Sequence, residues 1–109
     1  LDAYALWRLG RGRLARTVRV TGALSSNDGE AVRQWALAGL GIIMRSEWDV
    51  AADIEAGLLV ELLAEWPPAP ADIFAVYPQR QQAPAKVRVF VDFLAARLGE
   101  SPPWRRPPQ

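Results

Sequence analysis

The chain has 109 residues, half of them hydrophobic, with a net charge of +1 and neither cysteine nor histidine. That length suits one compact domain or one lobe of a larger one. Without cysteine there are no disulfides, no thiol chemistry and no thiolate-bound metal, and without histidine the commonest general base and the commonest metal ligand are missing too.

Leu1 opens the chain on strand-like sequence without an initiating Met, which reads as a piece of a longer protein. The sequence does not open with a signal-peptide pattern, and no apolar run reaches the roughly 18 residues a bilayer span needs. A cytoplasmic setting with no membrane partner is therefore expected. The alternation in Tyr4-Ala5-Leu6-Trp7-Arg8-Leu9 and in Thr17-Val18-Arg19-Val20-Thr21 predicts two strands. The glycine-rich connector Gly10-Arg11-Gly12-Arg13 joins them as a hairpin with a longer loop. Residues 1–20 hold five arginines (Arg8, Arg11, Arg13, Arg16, Arg19) against one aspartate. They read as a solvated hairpin face rather than a nucleic-acid patch, because the aromatic interleaving that stacks on bases is missing.

The stretch Ser25-Ser26-Asn27-Asp28-Gly29-Glu30 carries two competing signals. Asp-Gly marks a hairpin turn, whereas a small polar residue with Glu three places later marks a helix start. Val32, Trp35, Ala36 and Gly39 fall at helical spacing and decide for a helix capped by Asn27 or Ser26. Gly39-Leu40-Gly41 ends it, and Ile42-Ile43-Met44 predicts a short buried strand. A second helix is expected from a Ser46 cap, with Glu47 and Asp49 near its positive end, through Val50 and Ile54 to a stop at Gly57. Residues 47–72 hold seven acids and no base, and Glu47, Asp49, Asp53 and Glu55 read as the solvent face of that helix.

Leu58–Leu63 and Asp72–Tyr77, the latter closed by Pro78, predict two further strands around the stiff connector Trp66-Pro67-Pro68-Ala69-Pro70. The clearest helix runs from Pro84 to about Leu98 with an apolar stripe of Val87, Phe90, Val91, Leu94 and Leu98. Arg88 and Asp92 face water at a spacing that allows pairing. Residues 101–109 hold four prolines and read as a disordered tail, with Trp104-Arg105-Arg106 as an interaction motif the less favoured alternative. Interleaved strands and helices without a repeat predict an α/β lobe with a mixed sheet.

No His-Cys-Ser constellation and no metal-spaced cluster is present, and Gly10-Arg11-Gly12 lacks the third glycine of a dinucleotide fingerprint. Catalysis by this segment is not expected, and no cofactor or metal is implied. Binding is the better candidate. The free N–H groups of the first turn, with the hydroxyls of Ser25 and Ser26 beside Asn27, form a polar nest suited to a carboxylate. Arg45 and Ser46, after the apolar strand, supply a charged partner at the same sheet edge. From spacing alone, a capped helix with nothing bound is the simpler reading.

Five blocks in order carry a family likeness. They are Trp7, VRVTGALSSNDGEAVRQWALAGLGI over 18–42, IEAGLLVELL over 54–63, IFAVYPQR over 73–80 and KVRVFVDFLAARL over 86–98. Together they resemble the effector-binding domain of LysR-type transcriptional regulators. The resemblance implies a two-lobed fold like the type 2 periplasmic solute-binding proteins, of which this chain is a partial domain. Residues 1–68 correspond to the second lobe, 69–100 to the return strand and final helix that complete the first lobe, and 101–109 to the tail. It further implies a small-molecule effector held between lobes, with Ser25, Ser26 and Asn27 at the cleft and Arg45-Ser46 where the family often has a Pro-containing loop. DNA contact is then expected only through an N-terminal domain outside this segment, together with self-association as a homo-oligomer. Two alternatives stay open: a fragment of a solute-binding protein of the same fold, and a dimerisation lobe that binds no ligand.

Overall fold

A computed structural model describes residues 5–77 and 84–105. Tyr4, Pro78 and residues 106–109 of the tail lie outside the described residues. The chain divides into two compact units between Ala71 and Asp72.

In the first unit, β1 (Leu6–Leu9) and β2 (Arg16–Arg19) form the predicted antiparallel hairpin, with Leu6 opposite Arg19 and Leu9 opposite Arg16. The loop contains a short 3-10 turn at Gly12–Leu14. Gly10 takes φ +87°, and a Cβ there would press on the Trp66 ring at 3.0 Å, so both conformation and packing require glycine. Its N–H donates to the Pro67 carbonyl at 2.9 Å, and Leu9 bridges to Pro68. The proline-rich connector thus returns alongside the hairpin. Every residue of β2 is exposed, and among the described residues this hairpin is the whole sheet, not the mixed sheet expected.

Helices α1 (Gly29–Leu37) and α2 (Glu47–Glu55) form where the periodicity placed them. Both end in the same way. After α1, the Gly39 N–H donates to Ala36 and the Leu40 N–H to Trp35. After α2, the Gly57 N–H donates to Ile54 and the Leu58 N–H to Asp53. These are the paired bonds of a Schellman motif, and they require the left-handed backbone that Gly39 (φ +78°) and Gly57 (φ +74°) adopt. The recurring Ala-Gly-Leu, at 38–40 and 56–58, writes this ending into the sequence.

The starts differ from expectation. Asp28, not Asn27 or Ser26, caps α1, its Oδ1 accepting from the N–H groups of Glu30 at 2.9 Å and Ala31 at 3.4 Å. Ser46 stands at the N-cap of α2, but its hydroxyl makes no capping bond and its carbonyl accepts from Asp49 instead.

The inward face of α2 is Val50 with Asp53, not Val50 with Ile54. Val50 and Asp53 are buried at 9% and 6% exposure, while Ile54 is 41% exposed. Asp53, expected in solvent, is drawn inward because Arg33 of α1 meets it with both edges of a fork. Nε donates to Oδ2 at 2.7 Å and a terminal nitrogen donates to Oδ1 at 2.8 Å. Arg33 also pairs with Glu30 at 2.9 Å, and Gln34 donates to the same Glu30 oxygen.

The three expected inner strands do not form among the described residues. Ile42–Met44, Leu58–Leu63 and Asp72–Tyr77 pair with no neighbouring strand there, and their apolar side chains stay open, Val60 to 78%, Phe74 to 77% and Val76 to 92%. A strand without a ladder partner has no backbone bonds to define it. Leu63, at φ +56°, turns the chain out of any extended path, and the Trp66 N–H closes that turn on its carbonyl.

In the second unit, α3 (Ala85–Leu98) starts one residue later than predicted, with Pro84 at its N-cap rather than in its first turn. Val87, Val91, Leu94 and Leu98 are half-buried, whereas Phe90 and Phe93 are exposed, with Arg97 set 5.8 Å from the Phe93 ring. Arg88 and Asp92 form no ion pair with each other. A second 3-10 turn follows at Pro103–Arg105, next to a buried Pro102.

The helix ending and the buried carboxylate of the first unit each set a measurable stability. Gly57→Ala forces an L side chain into left-handed backbone and should cost about 1 kcal/mol in urea unfolding, with Gly57→Asn costing less. The Arg33 hydrogen bonds, outweighing desolvation, hold the Asp53 carboxyl below the usual range. Its folded pKa lies below the unfolded value of about 3.9, so the stability it contributes is present above that value and lost as pH falls through the folded one. Asp53→Asn should therefore unfold at lower urea than the wild type at pH 7, and the difference should shrink below about pH 4.

Candidate functional site

The residues singled out from the sequence gather, in part, around the start of α1. Ser25, Ser26 and Asn27 lie on the exposed segment that leads into it. The Ser26 hydroxyl accepts from the Asp28 N–H at 3.0 Å, which fixes the turn before the helix. Ser25 and Asn27 point no side chain into a hydrogen bond among the described residues and remain open to solvent.

Arg45 reaches the same place from the other side. Its guanidinium lies so close under Gly29 that a Cβ built there would overlap it, so the first residue of α1 must be glycine for the arginine to sit where it does. Two of its nitrogens converge on one carboxylate oxygen of Asp49, Nε at 2.7 Å and a terminal nitrogen at 2.6 Å. The other terminal nitrogen carries no hydrogen bond among the described residues. Arg45, Ser46 and Asp49 are half-buried. Ser46 belongs to the start of α2 and makes no side-chain bond toward the α1 turn.

This geometry corrects one feature of the expected nest. The N–H groups of Glu30 and Ala31, thought free for a ligand carboxylate, are taken by Asp28. The Asp28 carboxylate, placed just before Gly29, also gains from the positive end of the helix. The positive group left to face an incoming anion is therefore the Arg45 guanidinium, partly neutralised by Asp49. Sequence reading placed Asp49 on the solvent face of the second helix and gave Gly29 no role of its own. The Arg45–Asp49 spacing of four across a helix start was the available signal for the first. Nothing in the sequence signalled the second.

The described residues hold no cluster of three or more carboxylates that could bind a metal, and no helix among them is long and apolar enough to cross a membrane. Glu30, Arg33 and Asp53 form the densest charged network, but all three are satisfied by one another and by Gln34.

The family profile described as the LysR substrate binding domain matches residues 4–99. The HTH-type transcriptional activator TtdR of Escherichia coli K12 is 48% identical over 101 residues, covering 89% of this chain and 32% of the relative. The HTH-type transcriptional regulator DmlR of the same organism is 44% identical over 100 residues, covering 92% and 32%. PtxR of Pseudomonas aeruginosa, also an HTH-type transcriptional regulator, is 35% identical over 96 residues, covering 88% and 31%. The chain thus spans about a third of the length of the curated relatives it matches. These relatives are named as transcriptional regulators and not as enzymes, and no solved structure gives a significant match. Family membership carries with it a periplasmic-binding-protein-like fold. With the profile running through nearly every described element from the hairpin to the end of α3, the chain belongs to the LysR substrate-binding domain family.

Proposed function

We propose that this chain is the effector-sensing segment of a LysR-type transcriptional regulator working in the cytoplasm. The observation that carries this reading is the family match over residues 4–99 together with relatives that are named as HTH-type regulators. In this reading residues 1–68 belong to the second of two lobes and 69–100 complete the first. The division between Ala71 and Asp72 supports that partition. The apolar segments 58–63 and 73–77, exposed as they stand, are what a lobe sheet completed by other parts of the protein would present. Recognition of the DNA sequence belongs to a helix-turn-helix part of the whole protein.

The effector is a small anion seated between the lobes, against Ser25, Ser26, Asn27, Arg45 and Ser46. Arg45 supplies the charge, through the terminal nitrogen that Asp49 does not occupy. The open Ser25 and Asn27 side chains supply the directional hydrogen bonds. An effector that binds one lobe arrangement more tightly than the other shifts the population toward it, and the coupling to DNA is reciprocal. The regulator's homo-oligomer on DNA is the element so biased.

Calorimetric titration of the full-length regulator with a panel of short-chain and aromatic carboxylates tests this. At least one should bind, and Arg45→Gln should weaken it by about tenfold or more, the usual loss for a charge-assisted bond. Gly29→Ala should weaken it as well, by displacing the guanidinium without touching its charge. Unchanged affinities in Arg45→Gln and in the Ser25→Ala, Ser26→Ala double variant would remove the site from this surface.

A further inference from the structure

We propose that the β1–β2 hairpin is a second contact of the regulator with DNA, one that grips the phosphate backbone. The inference rests on the reading of the chain as part of a DNA-bound regulator. Residues 5–27 contain five arginines and no acid, and all five arginines are exposed. Elsewhere in the first unit each arginine is engaged: Arg33 with Glu30 and Asp53, Arg45 with Asp49. On the hairpin none forms an ion pair among the described residues. Arg16 alone is occupied, folding back on the carbonyls of Leu14 and Ala15 at 3.3 and 3.2 Å.

The register sorts the remaining four. Leu6 opposes Arg19 and Arg8 opposes Thr17, so Arg8 and Arg19 share one face as diagonal neighbours, with side-chain bases about 7–8 Å apart. Arg11 and Arg13 extend the same charge around the tip, beside the 3-10 turn. Four uncompensated guanidinium groups therefore follow one ribbon.

That arrangement suits a polyanion of evenly repeated charge. Duplex DNA presents a negative charge about every 1.7 Å of its axis, and guanidinium forks match phosphate oxygens in pairs. The missing aromatic interleaving counts against base stacking, but backbone contact needs only the cations. A protein partner fits less well, because protein interfaces are depleted of charge at their centres, and here the charge is the centre. Leu6, Arg8, Thr17 and Arg19 on that face are all exposed, whereas Trp7 and Leu9 on the opposite face are half-buried, so the arginine face is the accessible one.

The test is the salt dependence of binding by the full-length regulator to a random-sequence duplex of about 60 base pairs, followed by fluorescence anisotropy. Binding by the wild type tests the regulator reading, and the change on substitution tests the hairpin. Arg8→Gln, Arg11→Gln, Arg13→Gln and Arg19→Gln combined should lower the slope of log K against log salt by roughly 2–4, about 0.9 for each phosphate no longer neutralised. The same four positions changed to Lys should keep most of the slope, which separates lost charge from lost folding. A slope equal to the wild type in the Gln variant overturns the proposal. So does an unchanged slope accompanied by loss of binding to poly-glutamate, which would assign the ribbon to an acidic protein instead.

Discussion

The Arg33–Asp53 pair is the contact on which the arrangement of α1 and α2 depends. A carboxylate as enclosed as Asp53 is costly unless its charge is matched and both oxygens are bonded. Arg33 does both with one planar group, Nε to one oxygen and a terminal nitrogen to the other. The geometry is directional in a way that apolar packing is not, because a fork meets a carboxylate only in one plane. In a unit whose one buried apolar side chain among the described residues is Val50, that directionality sets the rotation of α2 about its own axis. Asp53 must face α1, so Val50, one turn before it, must face inward too. Asp53 also ends the helix, since its carbonyl accepts from Leu58 and Leu59. One residue thus fixes both how α2 turns and where it stops.

Much of this was legible in the sequence, and the parts that were share a cause. Hairpin, three helices and both helix endings depend on local pattern: alternation, helical spacing, and glycine where the backbone must be left-handed. Ala-Gly-Leu ends α1 and α2 alike because the chemistry of ending lies within six consecutive residues. What failed depends on residues far apart. Asp53 sits on a helix rich in acids, and nothing near it distinguishes it from Glu55, which is exposed. Its difference comes from Arg33, twenty positions away, between Val32 and Gln34 of α1. The apolar runs at 42–44, 58–63 and 73–77 failed for the same reason in reverse. Their composition asks for a sheet, but a strand is a relation between two segments, and the described residues supply no second one.

The candidate site was half legible. Ser26 and Arg45 both lie at the start of α1, Ser26 bonded to the Asp28 N–H and Arg45 against Gly29. The division of labour among them was not foreseen, because it turns on charge. A helix start that caps itself with Asp28 has already spent its positive potential on a carboxylate of its own chain. What remains for an outside anion is a guanidinium, and Asp49 has moderated that as well. In the proposed reading, the Ser25 and Asn27 side chains then matter as much as the charge of Arg45.

The two arginines together hold α1 against α2. Arg45 lies against Gly29 at the first residue of α1 and is tied to Asp49 in the first turn of α2. Arg33, four residues further along α1, is tied to Asp53, four residues further along α2. The helices are therefore bonded to each other through Arg33 and Asp53, and Arg45 packs against the start of α1 about one turn away. A single point of contact would leave α2 free to pivot about it, whereas a bond and a packing contact a turn apart restrict its direction as well as its position.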